Sequence, residues 1–199
     1  MDTEQFAPWH ADLRLRERLA PHGELLVGYV GRLAPEKQVR RLATLHGLPG
    51  VRVVVVGEGP EEPALRALLP DAAFLGFRTG SELAAAYASL DVFVHTGPHE
   101  TFCQAAQEAM ASGLPVIAPD AGGPRDLVVP GRTGFLLEPH DDNRFAGELW
   151  STVELLRHRA LRRRIGLAAR NSVLSRTWPT VCDELLGHYD QVCGALLAA

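Results

Sequence analysis

The stretch Val51-Arg52-Val53-Val54-Val55-Val56-Gly57-Glu58-Gly59-Pro60 decides the fold. Its valines run on without the alternation of a half-exposed strand, which suits a β-strand covered by helices on both faces. A glycine-rich turn follows directly. Working outward, the same sequence of short apolar run, turn and helix-like stretch recurs on either side. The runs are Leu25 to Val30, Ala72 to Leu75, Val92 to Val94, Pro115 to Ala118 and Gly134 to Leu137. Helices are expected near residues 36–46, 61–69, 80–90, 102–112 and 142–157. Regular alternation of this kind predicts an α/β fold, a doubly wound parallel sheet of about six strands with right-handed crossovers. In such sheets ligands bind where the strands' carboxyl ends open into loops. After residue 140 the chain reads as helix only. At its end Trp178, Val181, Cys182, Leu185, Tyr189, Val192 and Leu196 recur at helical spacing, one apolar stripe that packs on its own core or meets a partner domain.

Composition bounds the rest. With 199 residues the chain is long enough to bury a core without disulfides or a structural metal. A net charge of -4 argues against a protein that coats nucleic acid. Apolar residues at 46% and charged ones at 22% exclude a disordered or collagen-like chain. No run reaches the roughly 18 apolar residues of a membrane span, and the start lacks a signal-peptide core, so a soluble protein is expected. Cys103, Cys182 and Cys193 fit no zinc spacing, and a reducing cytosol is the simplest setting for them. No metal is expected. Arginine replaces lysine throughout except at Lys37, the one lysine of the chain. There is no internal repeat and no linker-like composition, so one domain is expected.

Three motifs sit at strand ends. Gly31-Arg32-Leu33-Ala34-Pro35-Glu36-Lys37 follows the first strand, and its two cations either grip a diphosphate or lie solvated at the surface. The retention of lysine at position 37 favours the first reading, because a compact ammonium and a guanidinium are not equivalent toward phosphate. Gly57-Glu58-Gly59 lacks a third glycine, Glu62 standing in its place, so dinucleotide binding is weakly supported. His99-Glu100-Thr101-Phe102-Cys103-Gln104-Ala105-Ala106-Gln107-Glu108 is the strongest. Carboxylates eight residues apart lie about 80° apart around a helix and could flank one ligand. The amides of Thr101, Phe102 and Cys103 are expected at the helix N-terminus, where free donors and the dipole favour an anion. The plainer reading makes Glu100 a capping acid and Glu108 a solvated helix residue.

As a set these residues resemble the nucleotide-binding half of GT-B fold glycosyltransferases, specifically the retaining enzymes of family 4. The family pattern of two glutamates separated by seven residues reads here as Glu100 and Glu108. It continues into the small-residue helix end and strand Ala109-Met110-Ala111-Ser112-Gly113-Leu114-Pro115-Val116-Ile117-Ala118. Gly31-Arg32 with Lys37, Val56-Gly57-Glu58-Gly59 and Ala121-Gly122-Gly123 follow in the family's order, over residues 25 to 190. The resemblance implies that Arg32 and Lys37 hold the donor diphosphate, Glu100 the sugar hydroxyls and Glu108 the ribose, with Gly76-Phe77-Arg78 at the base. Gly31, Gly57, Glu58, Thr101, Phe102 and Cys103 complete the implied donor site, and Arg32, Lys37 and Glu100 the catalytic set. Cations there would stabilise the departing diphosphate, and no metal is implied.

Many family members carry glycine where Cys103 stands. The wording Glu100-Thr101-Phe102-Cys103-Gln104 looks like the GDP-mannose-dependent α-mannosyltransferases that act on lipid acceptors. A UDP-sugar donor, a non-catalytic nucleotide-binding module and a nicotinamide dehydrogenase are the other readings. Cys103 has no histidine and acid set to make it a nucleophile, and a packing or backbone role is expected. His95 and His99 are read as local hydrogen-bonding residues. The resemblance divides the chain into a linker and lead-in segment (1–24), a Rossmann-like donor-binding domain (25–177) and an amphipathic helix (178–199). That helix would pack toward an N-terminal acceptor domain belonging to the same protein. Turnover by this half alone is not expected. The arginines at 157, 159, 162, 163 and 164 form either a solvated helix face or a contact with anionic lipid at the inner face of the plasma membrane.

Overall fold

In the computed structural model, which describes residues 1–197, six strands form one sheet. They are β1 (Leu25–Val30), β2 (Val51–Val56), β3 (Ala73–Gly76), β4 (Val92–Val94), β5 (Val116–Pro119) and β6 (Gly134–Leu137). All pair in parallel, in the order β3-β2-β1-β4-β5-β6. The valine run lies against β1 in full register, from Leu25 opposite Val51 to Val30 opposite Val56. Successive side chains alternate between two buried layers. Leu26, Val54, Val56 and Phe93 enter one, while Val27, Tyr29, Val53 and Val55 enter the other. Burial on both faces explains why the valines do not alternate with polar residues. Winding reverses between β1 and β4, so the crevice at this switch point lies between Gly31 and His95.

Among the described residues eight α-helices accompany the sheet: α1 (Leu13–Leu19), α2 (Glu62–Leu68), α3 (Gly80–Ser89), α4 (Gln104–Ala111), α5 (Pro124–Leu127), α6 (Asp142–Leu156), α7 (Arg159–Val173) and α8 (Trp178–Leu197). Two start on aspartate caps. Asp12 accepts from the amides of Arg14 and Leu15, and Asp141 from those of Asn143 and Arg144.

Two expectations change, and one open alternative narrows. The helix expected over 36–46 is instead two 3-10 segments, Pro35–Lys37 and Val39–Leu45, broken at Gln38 in the left-handed region (φ 49°). The Lys37 carbonyl, which an α-helix would pair with the Arg41 amide, accepts from the Thr96 hydroxyl at 2.6 Å, and the Arg41 amide donates to Gln38 at 3.0 Å. A tertiary bond has replaced a helical one. Second, residues 1–24 are folded, with a 3-10 turn at Pro8–His10 followed by α1. Met1, Phe6 and Leu19 enter the core, and Phe6 packs edge-on to Tyr87 at 5.7 Å. The segment is needed to cover Tyr87 and α4, which would otherwise expose apolar surface. The open alternative concerns α8, where the described side chains of the stripe do not enter the core. Trp178, Leu185 and Tyr189 are all about half exposed, and Cys182 is exposed. The side chains of Val192 and Leu196 lie outside the described residues, as do Ala198 and Ala199.

Candidate functional site

The loops after β1 and β2 are zipped together at the carboxyl ends of their strands. The Gly31 amide donates to Val56, the Leu33 amide to Glu58 and the Glu61 amide to Leu33. Gly57 is required at this seam. Its φ is +130°, and a Cβ there would sit 2.0 Å from the Gly31 carbonyl oxygen. The result is a cleft of about 340 Å³ bordered by Gly31, Arg32, Gly57, Glu58, Phe77 and Arg78, six of the residues singled out in the sequence. Val30, Val56 and Leu83 supply its apolar floor. Phe77 and Arg78 are exposed at its rim, where a flat ring system could lie on the aromatic face.

At the switch point, Lys37 Nζ meets Glu100 Oε2 at 2.6 Å, both side chains about three-quarters buried. Loops from β1 and β4 deliver the two charges, and the absence of a side chain at Gly97 lets the Lys37 backbone come close. Arg41 braces the arrangement from beneath. It bonds Asp142 through two nitrogens at 2.7 and 2.9 Å, donates to the carbonyls of Thr96 and Pro139, and lies 4.5 Å from the Phe145 ring centre. Such a bidentate, stacked guanidinium is not replaceable by lysine. Arg32 is exposed and pairs with Glu36. The Tyr29 hydroxyl donates to the Arg32 carbonyl at 3.0 Å, and burial, with Glu100 and Glu36 adding, pushes that phenol far above its ordinary value.

Glu100 and Glu108 enter different surroundings rather than one shared face. Glu108 is buried in α4, accepting from the Tyr87 hydroxyl at 3.0 Å and from Gln104 Nε2 at 2.9 Å. Burial raises its pKa, and the two hydrogen bonds oppose the shift. It is not a solvated helix residue. Helix α4 also begins later than expected. Cys103, left-handed at φ 52°, is its N-cap, so the amides of Thr101 and Phe102 precede the helix instead of lying in its first turn. The Cys103 thiol is buried and pushed up to about 12 by that burial, which agrees with a backbone and packing role. Thr101 and Phe102 are exposed, and Phe102 stacks on Trp178 with ring centres 6.4 Å apart.

The loop carrying Glu100 is held from the far side by Ala121-Gly122-Gly123. The Gly123 amide donates to the Glu100 carbonyl at 2.6 Å, and a Cβ on Gly122 would fall 2.3 Å from the same oxygen. His95 just past β4 is buried and locally bonded to the Gly97 backbone, as expected, but its Nε2 makes no hydrogen bond. His99 is exposed. The arginine cluster is split. Arg157 pairs with Glu154, and Arg162 joins Arg16 on Asp91 at the amino-terminal end of β4, away from the cleft, while Arg159, Arg163 and Arg164 face solvent. Sequence reasoning missed Arg41, Thr96 and Tyr87. Thr96 could have been found, because it lies two residues past the end of the switch-point strand. Tyr87 reaches Glu108 from another helix, and no spacing announces that.

The sequence matches the family of glycosyl transferases group 1 over residues 13–172. The chain belongs to that family. It is 56% identical over 194 residues to a GDP-mannose-dependent alpha-mannosyltransferase from Mycobacterium tuberculosis, covering 98% of this chain and 50% of that one. Among solved structures it resembles a sucrose-phosphate synthase from Thermosynechococcus elongatus with a TM-score of 0.81 at 27% identity, over 98% of this chain and 51% of that one. It also resembles the C-terminal domain of a glycosyl transferase group 1 family protein from Francisella tularensis (TM-score 0.69, 26% identity, 88% of this chain and 97% of that one). The chain spans about half the length of the curated relatives it matches.

Proposed function

We propose that this group 1 glycosyltransferase chain is the C-terminal, donor-binding half of a retaining enzyme that moves mannose from GDP-mannose to a lipid or glycan acceptor, in the cytosol and without a metal. The observation that carries the reading is the meeting of Lys37 with Glu100 at the switch point, beside the cleft bordered by Arg32 and Phe77. A nucleoside diphosphate laid across the strand ends would place its base at Phe77 and Arg78 and its phosphates at Arg32 and Lys37. Its sugar would lie at Glu100. As the bond from the sugar to the diphosphate breaks, negative charge gathers on the phosphate oxygens, and the two cations stabilise it. An acceptor hydroxyl then forms the new bond with the anomeric configuration kept. The other half of the protein would supply the acceptor, and the exposed stripe of α8 is the face offered to that half.

Identity to the mycobacterial relative supports mannose and guanine in the donor. The likeness to a solved C-terminal domain supports the placement as a half. Glu108 takes the ribose role only if the two hydroxyls replace its bonds to Tyr87 and Gln104. Calorimetric titration of the chain with GDP, UDP and NAD tests the reading. GDP is expected to bind in preference to the others, and Lys37→Ala to weaken it at least about tenfold, since a charged hydrogen bond contributes about 1.5–3 kcal/mol. A preference for UDP would keep the site and replace the donor. No nucleotide binding by folded protein would refute the reading of these loops.

A further inference from the structure

Buried polar atoms in folded proteins almost always have a hydrogen-bond partner, and an exception at a binding site calls for an explanation. His95 Nε2 is such an exception. The ring cannot turn to water, its side chain being 5% exposed, and the His95 amide is fixed to the Ile117 carbonyl at 2.8 Å. Across from Nε2, at 3.9 Å, lies Glu100 Oε2. That distance is too long for a hydrogen bond. The reason is visible: the same oxygen is drawn to Lys37 Nζ at 2.6 Å.

A donor diphosphate would compete for Lys37. Once the ammonium turns to phosphate, Glu100 is left without its partner, and the nearby group able to replace it is the imidazole. Closing the gap to a charged hydrogen bond of about 2.8 Å takes a shift of about 1 Å. Rotation of the glutamate side chain can supply it. We propose that His95 is a positioning residue whose Nε2–H takes over Glu100 when Lys37 moves to the diphosphate, holding the carboxylate toward the sugar hydroxyls. This inference rests on the nucleotide-sugar reading above. The charges facing the ring are Glu100 and Lys37, the Gly97 backbone takes a hydrogen bond from it, and burial lowers the imidazole pKa. As Lys37 leaves, the adjacent carboxylate favours the protonated ring, whose second N–H then donates to Glu100 while the first stays on Gly97.

The test compares GDP-mannose with GDP by calorimetry on the wild-type chain, His95→Phe and His95→Gln. GDP lacks the sugar, so the ratio of the two affinities isolates the part that Glu100 serves. His95→Phe is expected to lower that ratio about tenfold, the loss of one charged hydrogen bond, and to leave GDP affinity within about twofold. His95→Gln, whose side-chain amide can reach the same position, is expected to restore most of the ratio. An unchanged ratio in His95→Phe overturns the inference while leaving the nucleotide reading intact. So does an equal loss for both ligands, or an equal loss in both variants, since either marks a merely structural role. Nitrogen-15 spectra of the wild-type chain give a readout that needs no variant. Adding GDP should slow exchange of the His95 Nε2 proton, and no change on binding overturns the inference. A wild-type chain that binds neither ligand would overturn the nucleotide reading and this inference with it.

Discussion

Gly57→Ala should unseat the site's floor. An added Cβ would lie 2.0 Å from the Gly31 carbonyl oxygen and 2.9 Å from its carbon, more than about 1 Å inside normal contact. Neither strand end can retreat freely. The Gly57 amide is bonded to Gly76 at 2.9 Å, and the Gly31 amide to Val56 at 3.0 Å. Relief therefore breaks at least one buried backbone bond, about 0.5–1.5 kcal/mol, on top of about 1–3 kcal/mol for an alanine forced to a φ of +130°. The sum is about 2–4 kcal/mol. In a chain of this size each kcal/mol moves the melting temperature by about 2–4 °C, so a fall of about 5–15 °C is expected. Gly147→Ala is the matched control. Gly147 lies exposed inside α6 with nothing within 4 Å of a Cβ, and alanine there should stabilise by about 0.5–1 kcal/mol. Thermal melts and urea titrations of both variants decide the matter. A Gly57→Ala protein as stable as wild type, with unchanged nucleotide binding, would refute the claim that the two loops are packed backbone to backbone.

Glu108→Gln should separate stability from binding. Between the ordinary carboxyl value of 4.5 and the raised value in the folded state, the folded protein holds a proton that the unfolded chain has released, so stability falls as pH rises through that window. The amide keeps partners for Gln104 and Tyr87 and does not titrate. Its stability relative to wild type should climb over the same window in pH-dependent urea melts, while GDP binding weakens. Thiol titration at pH 8 should find two reactive cysteines, the exposed Cys182 and Cys193, with Cys103 released only on unfolding. Three fast thiols would contradict the burial of Cys103.

What could be read from the sequence follows physical range. The valine run and the apolar segments beside it gave the strands within about a residue, because burial on both faces writes itself into consecutive positions. Six of the implied site residues share one cleft because strand ends bring their loops together in any sheet of this winding. The break at Gln38 was not legible. Nothing near it in sequence shows that Thr96 will claim the Lys37 carbonyl. The late start of α4 turns on Cys103 adopting a conformation that non-glycine residues rarely take. Burial of Glu108 depends on Tyr87 and on the folded lead-in, contacts that close only in three dimensions.

The stacking of Phe102 on Trp178 has an optical consequence. Phe102 stands two residues from Glu100, on the loop that carries that carboxylate to the switch point. The indole thus sits as a built-in fluorophore at the mouth of the crevice, with the ring of that loop as its neighbour. Its emission should report loop displacement in real time, without a label. Replacing Trp9 and Trp150, both exposed and far from this loop in sequence, would leave it as the single emitter. Stopped-flow mixing could then follow how fast the loop rearranges, a rate that equilibrium titration does not see.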